Sequence, residues 1–262
     1  MNEKYEAILE TVVRTFLQTH EPIGSKTLKE KLPFEIAPAT IRYYFNKMVE
    51  RGELAQLHKS SGRIPTESTM KRFWRRQLKA FDAICDGLEE LERISESEDL
   101  FLLVKPIRSN PLKGIERIGE RYLILVFEND EYVIRYQSQM ESFLNDLVGY
   151  QLEEIKQIAR DVGMISLYSK MRSRNEEEIK AINAESIIRM AAQRSGWGKR
   201  YMRPFLEGDA IEEIDEGLHF DPLLPKGFMA LKTEAVIEDR PMKMLCIGGI
   251  DHDFTKLFRN RL

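Results

Sequence analysis

The sequence predicts an α+β protein with a small helical unit first and a larger mixed body after it. Between residue 3 and about residue 91, apolar side chains recur at three- and four-residue steps, the period of a helix. Strand-like runs begin near residue 98, and the sequence predicts that Tyr122–Phe127 and Tyr132–Tyr136 form a hairpin. Strands return at Phe228–Ile237 and Met242–Ile247, so the body has strands on both sides of a helical middle.

Size and composition indicate a soluble globular protein. The chain has 262 residues, of which 42% are hydrophobic and 32% charged. Its longest apolar runs are far shorter than the ~20 residues that span a bilayer, and the N-terminus lacks the apolar region of a signal peptide. Cys85 and Cys246 form neither a disulfide framework nor a zinc-binding spacing. We therefore expect a cytoplasmic protein with reduced thiols.

The charge distribution is uneven along the chain. Residues 1–76 contain 14 Lys and Arg against 9 Asp and Glu, whereas the remainder contains 26 against 34. A basic front on an acidic body indicates a polyanionic partner for the front alone.

Local signals divide the basic front into three helices. Residues 3–19 carry a wide apolar stripe and predict the first helix. Ser25 is a favourable N-cap for a short second helix, which Pro33 ends. Pro38 suits the first turn of a third helix because its missing N–H would be unbonded there, and Gly52 ends that helix.

A hairpin follows the third helix. Its predicted strands are Leu54–His58 and Arg63–Pro65, and Gly62 can supply a positive φ in the turn. A glycine turn with two serines could also belong to a phosphate-cradling enzyme loop, but the Walker spacing is missing. Three helices and a hairpin are the order of a winged helix-turn-helix domain, here residues 1–75.

The third helix has a polar, basic and aromatic outer face that suits the DNA major groove. Taken alone, the helix is about equally well explained as an ordinary amphipathic surface helix. The hairpin and the basic charge favour DNA. Among the expected contacts, Arg42 and Lys47 reach phosphate or guanine; Thr40, Tyr43 and Asn46 read base edges; Ser25, Lys26 and Thr27 hold the second helix on the DNA backbone; and Lys59, Ser60, Ser61 and Arg63 contact DNA from the hairpin.

A single long helix is predicted after the hairpin. Thr66 can cap it, and apolar residues from Met70 to Leu91 recur at helical steps, so residues 76–98 become a linker helix. The steps from Trp74 to Leu88 fit a short coiled-coil seam, but they fit packing against the protein's own body equally well.

No enzyme site emerges from the sequence. The four histidines lack metal-ligand spacing, and His252 between two aspartates reads as a solvated turn. Cys246 reads as a core thiol. We expect no catalytic residue, cofactor or metal.

Three motifs resemble those of one family. They are Pro-Ile-Gly-Ser-Lys-Thr-Leu at 22–28, Pro-Ala-Thr-Ile-Arg at 38–42 and His-Lys-Ser-Ser-Gly-Arg-Ile-Pro-Thr at 58–66. Together they resemble HrcA, the bacterial heat-inducible transcription repressors. Looser likeness to that family's GAF-like domain continues at 122–136, 144–149 and 217–230.

The resemblance implies a homodimer that represses chaperone operons at an inverted-repeat operator, the CIRCE element. It also implies that the GroE chaperonin maintains the active fold. Residues 99–262 would be GAF-like, with a reduced dimerisation insert near 160–210, in a chain shorter than typical members. Tyr43 stands where the family usually has Asn, and Ala37 where it usually has Ser.

A second hypothesis is a winged-helix regulator whose GAF-like body senses a small ligand. It requires a polar-lined cavity in the body. An interior filled by the side chains of Tyr122–Phe127 and Met242–Ile247 would argue against it.

Overall fold

The computed structural model confirms a mixed α+β protein. It describes residues 3–58, 61–78, 83–172, 179–193 and 197–259. The chain forms two compact units, one built from Met1–Val104 together with Ala181–Leu262, the other from Lys105–Lys180. The first unit thus contains the predicted N-terminal domain and both ends of the predicted body.

Three helices open the first unit: α1 (Glu3–Thr19), α2 (Ser25–Lys31) and α3 (Pro38–Glu50). Pro38 begins α3, as predicted, and Ala37 is its N-cap residue. Gly52 follows the helix with a φ of 69°. The predicted cap of α2 is wrong, because Gly24 holds the N-cap position and Ser25 is already helical.

The hairpin is shorter than predicted. β1 (Leu54–Ala55) and β2 (Ile64–Pro65) pair antiparallel, with Leu54 opposite Pro65. Arg63 leaves the ladder because its backbone pairs with Ile23 instead. Lys59 and Ser60, at the predicted tip, lie outside the described residues.

The predicted continuous linker helix over 76–98 is wrong. The chain instead forms α4 (Glu67–Gln77), β3 (Ile84–Cys85) and α5 (Leu88–Ser97). Apolar residues do recur at helical steps here, but the backbone at residues 84–85 pairs with residues 236–237 at the edge of a sheet. Such tertiary pairing overrides the local preference for a helix. Thr66 does cap α4, accepting the Thr69 N–H at 3.4 Å.

The remaining strands are β4 (Phe101–Pro106), β5 (Leu112–Ile118), β6 (Tyr122–Phe127), β7 (Glu131–Arg135), β8 (Lys180–Ile182), β9 (Gly217–His219), β10 (Phe228–Ile237) and β11 (Arg240–Gly249). The larger sheet has the order β3-β10-β11-β4-β8, and β9 also pairs with β10. β10 has the predicted bounds, whereas β11 extends two residues beyond the predicted Met242–Ile247 at each end. They form a hairpin of ten antiparallel pairs around Glu238 and Asp239, both with positive φ as tight hairpin turns require.

Helices α9 (Ala184–Gln193), α10 (Trp197–Leu206) and α11 (Ala210–Glu213) and a 3-10 helix (Phe254–Leu257) complete the first unit. One buried cluster joins side chains of α1 and α4 to the large sheet. Trp74 is fully buried in it, donates Nε1–H to the Ile250 carbonyl at 2.7 Å and packs edge-on against Phe254. The apolar face of α4 therefore packs against the protein's own body. For the described part of this segment, the packing alternative is correct and the coiled-coil alternative is not.

The second unit is a three-stranded antiparallel sheet, β5-β6-β7, with α6 (Ser138–Asn145), α7 (Leu152–Asp161) and α8 (Ile165–Arg172). The predicted 122–136 hairpin is confirmed. β5 was not predicted because charged side chains interrupt its pattern. The segment that separates from the rest is 105–180, whereas the resemblance placed an insert near 160–210. A dimerisation role for either segment stays a prediction.

The two strands proposed to fill one interior lie in different units. Leu123, Leu125 and Phe127 are buried in the core of the second unit, whereas Met244 and Cys246 are buried in that of the first. Both sets pack against apolar neighbours, and neither forms a polar lining of the kind that ligand sensing requires.

Candidate nucleic-acid interface

α3 presents two faces of opposite character. Ile41, Phe45 and Met48 are buried against α1 and α2. The predicted DNA-contacting side chains of α3 are all exposed on the other side: Thr40, Arg42, Tyr43, Asn46 and Lys47. The helical period that buries one stripe necessarily places these residues together in solvent. The structure therefore brings all five onto one open surface.

Two adjacent tyrosines of α3 have different surroundings. Tyr43 is 55% exposed, and the Lys47 ammonium lies 4.6 Å from its ring centroid. Tyr44 is half-buried, and its ring meets Tyr43 and Tyr5 edge-on at centroid distances of 5.8 and 6.1 Å. Tyr44 thus belongs to the packing between α3 and α1, whereas Tyr43 belongs to the open surface.

Tyr5 anchors this packing from α1. Its hydroxyl donates to a Glu53 carboxylate oxygen, and the Arg51 guanidinium lies 5.0 Å from its ring centroid. Burial, reinforced by the hydrogen bond to the Glu53 carboxylate, raises the pKa of Tyr5 to about 12. Glu53 also accepts from Arg72 at 3.0 Å. These contacts join α1, the segment after α3, and α4.

The hairpin is fixed against the turn before α2. Ile23 and Arg63 exchange both backbone hydrogen bonds, at 2.8 and 2.9 Å. A Cβ at Gly62 would lie 2.5 to 2.6 Å from backbone atoms of Pro22 and Ile23. Only glycine allows this approach. The sequence predicts that Gly62 is needed for the conformation of the turn. The structure shows that glycine is needed there because the backbone of Pro22 and Ile23 approaches so closely.

A concavity of about 410 Å³ opens between this junction and α3. Arg42 Nε donates to Ser25 Oγ at 3.4 Å, and Arg63 donates to the Ser61 carbonyl at 3.1 Å. Its lining contains three cationic side chains and no carboxylate; the lining residues are Ile23, Gly24, Ser25, Lys26, Arg42, Phe45, Gln56, Ser61, Gly62 and Arg63. A concave surface of this charge suits a phosphate group.

Arg63 is the least solvated cation of this concavity. Its side chain reaches Asn46 Oδ1 at 3.5 Å, and its Nε is buried without a hydrogen-bond partner. Burial lowers the pKa of Arg63, although a guanidinium remains charged at neutral pH. An anion bound in the concavity would balance the charge of this partly buried guanidinium.

Of the other predicted residues that the structure describes, Ser25, Lys26 and Ser61 line this concavity. Lys26 and Thr27 are exposed at the start of α2, and Ser25 is half-buried. The Ser61 hydroxyl bonds to the backbone of His58, which stabilises the turn. Sequence reasoning missed Gln56, because it lies in a predicted strand and only the tertiary contact of the hairpin with α2 places it in the lining.

The remaining candidate groups are built into the core or into turns. Cys85 and Cys246 are buried thiols, as predicted for Cys246, and burial raises the pKa of Cys85 to about 12. His252 packs edge-on against His20, with ring centroids 6.0 Å apart. Within the described ranges, no group of three or more His, Cys, Asp or Glu could hold a metal ion. In the same ranges, every helix is too short or too polar to cross a membrane.

Comparison with known proteins defines the class. The family described as the HrcA C-terminal domain matches residues 74–261. A heat-inducible transcription repressor HrcA of Helicobacter pylori (strain J99) is 30% identical over 257 residues, covering 98% of this chain and 93% of that protein. The Lactobacillus gasseri repressor of the same name is 44% identical over 66 residues, which cover 25% of this chain and 19% of that one.

These matches indicate a transcription repressor of the heat-shock response. The chain belongs to the HrcA family. It is shorter than some relatives, since it covers 67% of the Alkaliphilus metalliredigens HrcA at 24% identity. A solved structure of a hypothetical protein shares the fold, with a TM-score of 0.51 at 18% identity and coverage of 98% of this chain and 92% of that one.

Proposed function

We propose that residues 1–75 are a winged helix-turn-helix domain and that the protein represses chaperone operons by binding DNA. The observation that carries this proposal is the surface around Arg42, where the open face of α3 meets a carboxylate-free, cationic concavity. DNA offers a phosphate backbone beside readable base edges, and the two parts of this surface match those two features.

The proposed roles follow from position. Thr40 and Asn46 project from the open face of α3 and read base edges in the major groove. Arg42 and Arg63, which both line the concavity, receive a backbone phosphate. Lys26, Thr27 and the hairpin residues Lys59, Ser60 and Ser61 extend the backbone contacts to either side.

A dimer is proposed for the complete repressor. One small unit reads few base pairs, whereas a two-fold dimer reads two half-sites of an inverted repeat such as a CIRCE-type operator. The family resemblance supports this operator class. In the same proposal residues 99–262 are a GAF-like body, whose sequence is interrupted by the unit of residues 105–180.

Modulation by a GroE-type chaperonin completes the proposal. The buried cluster that joins α4 to the large sheet supports it, since a body that loses its fold also releases the helices beside α3. A supply of free chaperonin would then maintain the DNA-binding form, and its depletion would relieve repression.

The test is a gel shift on the protein's own chaperone promoter and on a scrambled duplex of equal length, with and without chaperonin. Because Arg42 is assigned to a backbone phosphate, Arg42→Ala should weaken binding to the operator and to the scrambled duplex by similar factors. A loss of about 1–3 kcal/mol confined to the operator would instead identify a base contact. Arg93→Ala, an exposed arginine paired with Glu90 on α5, is the matched control and should bind normally. An intact dimer that leaves the promoter unshifted would refute the proposal.

A further inference from the structure

Tyr43 and Lys47 form a pair on the open face of α3. We propose that Tyr43 is a positioning residue, which holds the Lys47 ammonium for contact with a guanine and so helps to set the base preference of α3. The inference rests on the proposed DNA-binding function. It replaces the expectation that the Tyr43 hydroxyl itself reads a base edge.

The geometry of the pair is that of a cation on an aromatic face. Residues four apart on a helix lie one above the other, and the Lys47 Nζ is 4.6 Å from the Tyr43 ring centroid. The cation therefore covers one face of the ring. That face is therefore engaged by the ammonium rather than open for stacking on a base, and the ring already holds the cation before DNA is bound.

The ring itself is held by a chain of aromatic contacts. Tyr43 meets Tyr44 edge-on with planes at 66°, and Tyr44 meets Tyr5 with planes at 74°. Tyr5 is only 4% exposed and is tied to Glu53 by its hydroxyl. Three rings thus connect the exposed lysine to a buried residue of α1, so the direction of the Lys47 side chain is constrained from inside the domain.

This arrangement leaves the ammonium able to donate. A ring face attracts a cation without accepting all of its N–H groups, so donors remain for the DNA. In the major groove guanine presents O6 and N7 as adjacent acceptors, a pair that suits a lysine donor. A lysine stem is otherwise flexible, and holding it beforehand lowers the entropy lost on binding.

The experiment measures affinity for the native operator by fluorescence anisotropy at fixed salt. It compares the wild type with Y43F, Y43L, K47M and the double variant Y43L/K47M. Y43F keeps the ring and should bind within about twofold of wild type. Y43L should lose about two- to fivefold in operator affinity, the effect expected when an exposed cation–π contact is removed. In the K47M background the same Tyr43 change should have no further effect.

A second arm identifies the base. Each operator guanine is replaced in turn by 7-deazaguanine, which lacks the N7 acceptor. At one guanine the substitution should weaken operator binding by the wild type and by Y43F, but should not change binding by K47M. Tyr43 is more than half exposed, so its variants should retain the wild-type circular dichroism spectrum and melting temperature.

Four outcomes overturn the inference. If Y43F loses as much operator affinity as Y43L, the Tyr43 hydroxyl contacts a base directly. If Y43L loses the same affinity in the wild-type and K47M backgrounds, the two side chains act separately. The inference is also refuted if the protein binds the operator but no guanine substitution has an effect that depends on Lys47. That result would leave the proposed function intact. A wild-type protein that does not bind the operator refutes both.

Discussion

Trp74 is the residue through which α4 enters the core of the first unit. Trp74→Phe keeps most of the aromatic volume but removes the Nε1–H donor, leaving the buried Ile250 carbonyl unpaired. An unpaired buried polar group costs about 1–3 kcal/mol of stability. Trp74→Ala also removes the ring that packs on Phe254, and large-to-small changes of this kind cost about 3–5 kcal/mol.

Urea unfolding measures these losses. Both tryptophans, Trp74 and Trp197, belong to the first unit, so tryptophan fluorescence reports on that unit, and in the variants Trp197 remains as the probe. Because α1, α4 and the large sheet share one buried cluster, operator binding should be lost in the same urea range as the fluorescence change.

Leu57→Ala is the matched control. Leu57 is a large apolar residue that is 59% exposed, and its truncation should change stability by less than about 0.5 kcal/mol. A cost of less than about 1 kcal/mol for Trp74→Ala would contradict this packing of α4 in the core. Loss of DNA binding and of fluorescence at clearly separate urea concentrations would also contradict it, since the N-terminal helices would then fold independently of the sheet.

Two further predictions concern the N-terminal helices and the hairpin. Gly62→Ala places a Cβ against the Ile23 backbone and should lower the melting temperature and operator affinity together, whereas Gly114→Ala, with open space around its Cβ, should leave binding unchanged. Tyr5 has a pKa raised from 10.0 to about 12, so the native state retains a proton that the unfolded chain releases. Its contribution to stability is complete below pH 10 and is lost as the pH rises towards 12. Tyr5→Phe should make alkaline unfolding less steep over that interval, and an unchanged slope would contradict this.

The elements that the sequence predicts best are those whose signal is local. α3 begins at Pro38, ends before Gly52 and buries the stripe that its periodicity indicates. Strands β6 and β10 have their predicted bounds, because continuous apolar and β-branched runs bounded by turns specify strands without reference to the rest of the chain. The open face of α3 follows from the same period.

The errors at residues 84–85 and at β5 have one physical origin. Residues 84–85 pair with a strand some 150 positions later, and that backbone pairing overrides a helical side-chain pattern. β5 carries charges that hide its alternation, and its partner β6 supplies the hydrogen bonds that define it as a strand.

The sequence by itself therefore determined the mixed class, the three helices with their hairpin, and the basic residues of the candidate interface. Only the tertiary structure decided that Arg63 pairs with Ile23, that Arg42 and Arg63 share a concavity with Gln56, and that Tyr44 turns inward while Tyr43 supports Lys47. The division has a physical reason. Periodicity and capping act between neighbouring residues, whereas backbone pairing and charge clustering join residues that are far apart in the chain.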